Sequence, residues 1–201
     1  MSQSTLMYFL INKPYGILSQ FSNEGNNVGL GTIYSLPKDI YPVGRLDLDS
    51  EGLLILTNDK RLNNDLLNPK HEHLRTYFVE VENVPNKAAI QELQSGVTIN
   101  LKGKLHRCKP CIVKMLEKTH FEERIPPVNR IKHPITSWLS LSLSEGKNRQ
   151  VRRMTAKIGH PTLRLVRIAI EDLQLGELPP GGIVQISRKV IYEKLKLNHS
   201  M

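Results

Sequence analysis

Leucine and serine alternate strictly in the segment Trp138–Ser144, and this pattern limits the fold more than any other feature of the chain. The three leucines fall on one side and the serines on the other, which predicts a strand with one buried face. The continuous apolar run Gly52–Thr57 has the length of a strand and predicts a buried one. Further strands are predicted at Leu6–Ile11, Leu74–Val84, Leu163–Ile170 and Ile183–Ile186, and two short ones within Val97–Leu116.

Helix patterns are fewer and shorter than the strand patterns. Helices are predicted after four residues whose side chains can accept a hydrogen bond from the first turn, namely Asn58, Asn86, Asn148 and Ser187. The stretch Glu117–Pro134 is polar and basic, contains three prolines and predicts a long exposed loop. Because strands outnumber helices and often follow one another directly, we expect an α+β fold with a mixed, mainly antiparallel sheet flanked by helices.

Size and composition point to one globular unit. The 201 residues suffice for a single domain over residues 1–201, which we expect to consist of two lobes that share a core. The apolar run Leu6–Ile11 is too short to cross a membrane, and two cysteines do not make a disulfide framework. We therefore expect a cytoplasmic protein without a membrane partner.

The chain is strongly basic. It carries 28 lysines and arginines against 19 acidic residues, which gives a net charge of +9 and a pI near 9.6. Such a surplus favours a polyanionic partner, because cations near phosphates release condensed counterions. The alternative is an ordinary solvated basic surface.

The segment Arg149–His160 concentrates this charge at the start of a predicted helix. Val151, Met154 and Ile158 would face the core, whereas Arg149, Arg152 and Arg153 lie in the first turns. Cations there oppose the helix dipole, so an anion nearby is favoured. Lys147 adds another cation just before the helix. A solvated basic face, or arginines paired with acids elsewhere, remains the alternative.

A second segment, Gly44–Asp59, places a carboxylate beside an arginine in a loop before the buried strand. Gly44 permits an unusual backbone angle, and Arg45 lies two residues from Asp47. A carboxylate at a sheet edge can serve as a nucleophile or a base. The alternatives are a turn-stabilising aspartate or a calcium loop. Calcium is excluded because Asn58 occupies the position where an EF-hand loop requires glutamate.

The two cysteines are candidate metal ligands. His106, Cys108, Cys111 and His120 could supply four ligands to zinc, but the chain has one CxxC and no second compact pair. No βαβ pattern surrounds the cysteines, which argues against a thioredoxin-like redox role. We therefore predict no metal.

The motifs resemble those of the RsuA/RluE group of RNA pseudouridine synthases. The likeness runs from about Met7 to Ile186 and is strongest in two ordered segments, Gly44–Asp59 and Glu145–Met154. Ser50 stands where the group more often has threonine. Three shorter segments also fall where the group has related sequence: Met7–Gly16, Arg75-Thr76-Tyr77 and Leu165-Val166-Arg167.

The resemblance implies the pseudouridine synthase fold with a central RNA-binding cleft and no separate N-terminal RNA-binding domain. It implies isomerisation of a flipped-out uridine without a cofactor. Asp47 would be the nucleophile, Tyr77 would pack against the base and take the proton from carbon 5, and Arg152 would pair with the aspartate. The residues predicted to bind RNA are Arg45, Lys147, Arg149, Arg153, Arg167, Arg75 and Lys13.

Within the group the likeness is to the branch that modifies 23S, large-subunit ribosomal RNA. We therefore expect ribosomal RNA as the partner of a monomer. The alternative is a non-catalytic RNA-binding factor for ribosome assembly on the same fold.

Overall fold

The computed structural model describes residues 5–119 and 121–197. The strands within these residues are β1 Tyr8–Lys13, β2 Ile17–Leu18, β3 Val28–Gly29, β4 Tyr41–Pro42, β5 Glu51–Thr57, β6 Arg75–Glu82, β7 Thr98–Leu101, β8 Lys104–Arg107, β9 Ile112–Leu116, β10 Thr136–Leu143, β11 Thr162–Ile170, β12 Leu173–Gln174 and β13 Ile183–Gln185. The α-helices are α1 Lys60–Leu67, α2 Lys87–Gln94, α3 Gln150–Lys157 and α4 Arg188–Lys194, and two single 3-10 turns cover Leu30–Thr32 and Pro69–His71.

The chain divides into two compact units. Unit 1 is formed by the described parts of Met1–His73 and Arg167–Met201. Its strands follow the order β13, β1, β5, β11, with β4 beside β5 and β12 beside β11. The residues of β11 from Arg167 onward belong to unit 1, and the earlier ones belong to unit 2. Strand β1 runs antiparallel to β5, with Tyr8 opposite Thr57 and Lys13 opposite Gly52. All seven residues of β5 are buried, which confirms the buried strand predicted from the apolar run.

Gly52 is required where β5 approaches β11. Its φ is +102°, and a Cβ atom there would lie 2.3 Å from the carbonyl oxygen of Arg167. No side chain fits at that distance, so the glycine allows the two backbones to come close. This contact fixes the end of β5 that follows the Asp47 loop.

Unit 2 is Leu74–Val166. Its sheet follows the order β11, β6, β10, β9, and β10 is antiparallel to both β6 and β9. The leucines at 139, 141 and 143 are buried, as their alternation with serine predicts. They belong to a core that also contains Val79, Val81 and Met154. Burial of each such side chain contributes on the order of 2 kcal/mol, so this core accounts for much of the stability of unit 2.

Two predicted helix caps are confirmed and two are wrong. Asn86 and Ser187 accept hydrogen bonds from the first turns of α2 and α4. Helix α1 is capped by Asp59 instead of Asn58, because the Asp59 carboxylate accepts from two backbone N–H groups of the first turn. Helix α3 begins after Arg149, which has a left-handed φ of +52°, and no side chain caps it. Asn148 is therefore not its cap.

Several predicted boundaries also change. The first strand begins at Tyr8 and continues to Lys13, because its antiparallel pairing with β5 extends that far. Val97–Leu116 holds three strands where two were predicted. The described residues of Glu117–Pro134 contain neither helix nor strand, which confirms a long loop. Within the described ranges, no helix has the length and apolar character needed to span a bilayer.

Candidate active site

The loop that carries Asp47 connects β4 to β5 and is held by backbone contacts on both sides. The N–H of Ser50 donates to the carbonyl of Asp47 at 3.0 Å, and the N–H of Gly16 donates to Leu48 at 2.9 Å. The hydroxyl of Ser19 donates to the carbonyl of Leu46 at 2.8 Å and accepts its N–H at 3.0 Å. The half-buried Asp47 therefore sits on a rigid backbone.

Gly44 allows the turn that leads into this loop. Its φ is +71°, and a Cβ atom would lie 3.0 Å from Cδ2 of Leu67 on α1. An L-residue would be strained there, which confirms the unusual backbone angle expected from the sequence. Arg45 follows and is exposed; its guanidinium lies 3.4 Å from the side-chain oxygen of Gln20.

Lys13 is buried, and its contact with RNA stays a prediction. Its side chain has no exposed surface, and Nζ donates to the carbonyls of Pro14 at 2.9 Å and Ile17 at 2.6 Å. Burial lowers the pKa of Lys13 to about 8, against the attraction of Glu51, Asp49 and Asp47. The ammonium group thus faces the interior of unit 1, beside the Asp47 loop.

Arg167 is a second buried cation, and its contact with RNA likewise stays a prediction. It is 4% exposed, and its Nε donates to the carbonyl of Leu53 at 2.8 Å. The side chain therefore braces β11 against β5 and does not present its charge at the surface. The acids Asp49 and Glu51 were not predicted as neighbours of Lys13. The pairing of Lys13 with Gly52 brings Lys13 beside the segment that carries these acids, but the sequence does not specify which residues of β1 and β5 pair.

Tyr77 and Arg75 lie on β6 in unit 2 and point to the same side of the strand. Tyr77 is half-buried, pairs with Leu141 of β10 and packs against the core of unit 2. Arg75 is also half-buried and pairs with Leu143. The core therefore fixes the position of the Tyr77 ring.

The second motif begins at Glu145, whose carboxylate organises the turn before α3. Its Oε1 accepts hydrogen bonds from the N–H of Lys109 at 2.8 Å and from Nε2 of Gln150 at 2.6 Å. Gln150 in turn accepts the N–H of Lys147 at 2.9 Å. Burial raises the pKa of Glu145, but hydrogen bonds from Lys109, Gln150 and His106 outweigh it and hold the pKa below its usual value. Gln150 belongs to the second motif, but the sequence analysis assigned it no role.

The cations of the second motif differ in exposure. Lys147 and Arg149 are exposed. Arg153 is half-buried and donates to the carbonyls of Asn100 at 2.8 Å and Asn148 at 3.2 Å. Arg152 is half-buried and its Nη1 lies 3.3 Å from the carbonyl of Thr162. Lys147 and Arg149 are therefore the cations of this motif that face solvent most directly.

The apolar side of α3 was predicted correctly. Val151 and Met154 are buried in the core of unit 2, and Ile158 packs against it. Asp47 lies in unit 1, whereas Tyr77 and Arg152 lie in unit 2. The catalytic roles of these three residues stay predictions.

The candidate zinc ligands that the structure describes do not form one set. His120 lies outside the described residues. The thiol of Cys111 donates to the carbonyl of Leu93 at 3.2 Å, and burial together with the nearby Cys108 and Glu145 raises its pKa to about 11. His106 and Cys108 instead converge with Glu145.

Comparison with known proteins agrees with the motifs. Residues 7–157 match the RNA pseudouridylate synthase family. The chain is 47% identical over 176 residues to the ribosomal large subunit pseudouridine synthase E of Xanthomonas axonopodis pv. citri, covering 87% of this chain and 90% of the relative. It is 44% identical over 172 residues to the protein of the same name from Vibrio parahaemolyticus, covering 86% of this chain and 70% of the relative.

A solved structure agrees as well. A crystal structure of a pseudouridylate synthase matches with a TM-score of 0.77 at 27% identity, covering 95% of this chain and 74% of that one. The mixed, mainly antiparallel sheet and the likeness to the RsuA/RluE group are both confirmed. The chain belongs to the RNA pseudouridylate synthase family.

Proposed function

We propose that this chain converts a uridine of large-subunit ribosomal RNA into pseudouridine, with Asp47 as the nucleophile. The observation that carries the proposal is the 47% identity, over most of both chains, to a relative named for this activity. The family match includes both the Asp47 loop and the second motif.

The surroundings of Asp47 support its role. A nucleophilic carboxylate must be ionised and held in position. The backbone contacts of Ser50, Gly16 and Ser19 hold the loop, and the buried ammonium of Lys13 supplies positive charge close to Asp47. This positive charge is buried, so water screens it only weakly.

The proposed reaction rearranges atoms without adding or removing any. The bond between N1 of uracil and C1′ of ribose breaks, and a bond between C5 and C1′ forms. C5 loses a proton and N1 gains one, so no oxidant, reductant or second substrate is consumed. Asp47 attacks the ribose or drives formation of a glycal. By the family resemblance, Tyr77 takes the proton from C5 and Arg152 balances the charge of the aspartate.

The target uridine must leave its stack before Asp47 can reach the ribose. Arg45, exposed two residues before Asp47, contacts a backbone phosphate or fills the space that the base vacates. Lys147 and Arg149 supply further phosphate contacts from the second motif. Recognition then rests on RNA shape and an opened loop.

The test is pseudouridine mapping on large-subunit ribosomal RNA incubated with wild-type protein, Asp47→Asn or Asp49→Asn. Asp47→Asn should lower the rate by more than about a thousandfold, because a unique nucleophile is lost. RNA binding and folding should be retained. Asp49→Asn is the matched control, since its carboxylate also lies near Lys13, and it should remain active.

Full activity in Asp47→Asn would refute the assignment of the nucleophile. Wild-type protein that binds the RNA tightly but forms no pseudouridine would favour the non-catalytic assembly factor instead.

A further inference from the structure

Three potential metal ligands converge in unit 2, and none of them is assigned a role in the reaction. His106 lies on β8, Cys108 follows that strand directly, and Glu145 follows β10. One ligand atom from each of the three lies within 4.8 Å of the other two. Among the residues that the structure describes, this is the one group of three or more histidine, cysteine and acidic side chains that converges in this way.

The distances suit a small tetrahedral ion. Nε2 of His106 lies 3.1 Å from Oε2 of Glu145. Zinc binds nitrogen and oxygen at about 2.0–2.1 Å and sulfur at about 2.3 Å, so neighbouring ligand atoms in a tetrahedron lie about 3.3–3.8 Å apart. The three side chains would need to move by about an ångström at most to reach that geometry.

The donor set selects the kind of ion. Imidazole nitrogen and thiolate sulfur favour zinc and related transition metals, whereas calcium and magnesium require oxygen ligands. A set of one histidine, one cysteine and one carboxylate leaves a fourth tetrahedral position for water.

The outer contacts hold the ligands in place. Oε1 of Glu145 accepts from the N–H of Lys109 and from Gln150, which leaves Oε2 directed towards His106. Such outer hydrogen bonds orient ligating carboxylates in metalloproteins. The backbone of Cys108 is equally fixed, because its N–H donates to the carbonyl of Val97 at 3.0 Å and the residue is 2% exposed.

We propose that His106, Cys108 and Glu145 bind one divalent transition-metal ion of the zinc class, with water as the fourth ligand. The ion would also stiffen the second motif. Glu145 is joined to Gln150, which accepts the N–H of Lys147, so a bound ion would brace the turn before α3. The competing account is a His106–Glu145 ion pair beside an ordinary buried cysteine.

The test uses the full-length chain after treatment with a chelator and exchange into metal-free buffer. Co²⁺ and then Zn²⁺ are titrated in, and bound metal is measured by elemental analysis. Wild-type protein should bind one equivalent of Co²⁺, show a near-ultraviolet thiolate-to-cobalt charge-transfer band, and lose that band when Zn²⁺ displaces Co²⁺.

Cys108→Ser is the decisive variant and Cys111→Ser is its matched control. Both change one cysteine of the same CxxC, but the Cys111 thiol donates to Leu93 and lies outside the cluster of three. Cys108→Ser should abolish the band and weaken Zn²⁺ binding at least tenfold, as loss of a ligand exceeds the usual effect of losing an outer contact. Cys111→Ser should keep the band and the affinity.

His106→Gln gives a second reading if Cys108→Ser does not fold, because the His106 side chain is 28% exposed and its loss leaves the core intact. It should keep the cysteine yet bind Zn²⁺ at least tenfold more weakly. The proposal is overturned if wild-type protein binds no stoichiometric metal, or if the band survives in Cys108→Ser and disappears in Cys111→Ser. Neither result bears on the proposed isomerisation, which consumes no metal.

Discussion

Two pairs of cations, all four predicted to bind RNA, differ in their exposure to solvent. Near the Asp47 loop of unit 1, Lys13 and Arg167 are buried and donate to backbone carbonyls. In the second motif of unit 2, Lys147 and Arg149 are exposed to solvent. The glycines of the two motifs differ in a similar way. A Cβ atom added at Gly52 would lie within 3 Å of backbone atoms, whereas one added at Gly146 would have no neighbour within 4 Å.

This difference separates two uses of positive charge. A buried ammonium or guanidinium acts on its neighbours in the fold, where water does not screen it strongly. An exposed one acts on a partner and is screened by salt. The net charge of +9 counts both kinds equally, so it does not show which cations RNA can meet.

The largest expected effect tests the packing of the first motif. Gly52→Ala would place a methyl group 2.3 Å from the carbonyl oxygen of Arg167, at a backbone φ of +102°. We expect it to lower the free energy of unfolding by at least about 3 kcal/mol, or to prevent folding. Gly146→Ala adds a methyl group that has no neighbour within 4 Å, so it should change the free energy of unfolding by less than about 0.5 kcal/mol. Urea unfolding measures both, and equal midpoints for the two variants would contradict the contrast.

The burial of Lys13 predicts a pH dependence of stability. Burial lowers the pKa of Lys13 from its ordinary value of 10.5 to about 8 in the folded protein. Between these pH values the unfolded chain binds the proton and the folded chain does not, so stability rises with pH. Relative to Lys13→Met, wild-type protein should gain up to about 3 kcal/mol between pH 8 and 10.5.

The comparison with Lys13→Met removes the contributions of other groups. Burial and then a hydrogen bond to Asp59 raise the pKa of Tyr192 to about 12, so its titration lowers stability at high pH in both proteins alike. Urea unfolding at several pH values gives the difference. A constant difference from pH 7 to 10.5 would show that Lys13 is not held in the interior.

The smallest expected effect concerns the exposed cations and rests on the proposed function. Lys147→Gln and Arg149→Gln should each lower the slope of log affinity against log salt by about 1, because each removes one phosphate contact. For Lys147→Gln, the free energy of unfolding should change by less than about 0.5 kcal/mol. Lys87→Gln, an exposed cation of α2 outside both motifs, is the control and should leave the slope unchanged. Binding of large-subunit ribosomal RNA at several salt concentrations measures this, and slopes equal to wild type would contradict the role.

Much of the fold could be read from local patterns. The apolar run of β5 and the leucine–serine alternation of β10 each encode burial directly, and both strands are confirmed. Asn86 and Ser187 cap helices because that preference depends only on the first turn. The start of α3 was missed because Arg149 adopts a left-handed conformation that local preference does not favour.

The candidate site was predictable only in part. The Asp47 loop and its special glycine were found from the motif, and the structure confirms the backbone angle at Gly44. The role of Gln150 was not found, since its contacts with Glu145 and Lys147 depend on how the turn before α3 closes. The grouping of Glu145 with His106 was missed because 39 residues separate them along the chain.

The sequence by itself determined the family, the order of the main strands and the residues that match the catalytic motifs, because each is encoded in contiguous segments. Only the tertiary structure decided which cations are buried and which potential metal ligands converge. Both depend on pairings between residues far apart in the chain, such as Lys13 with Gly52, whose register no local pattern specifies. A lysine opposite a buried strand loses its water, whereas the same residue type before α3 keeps it.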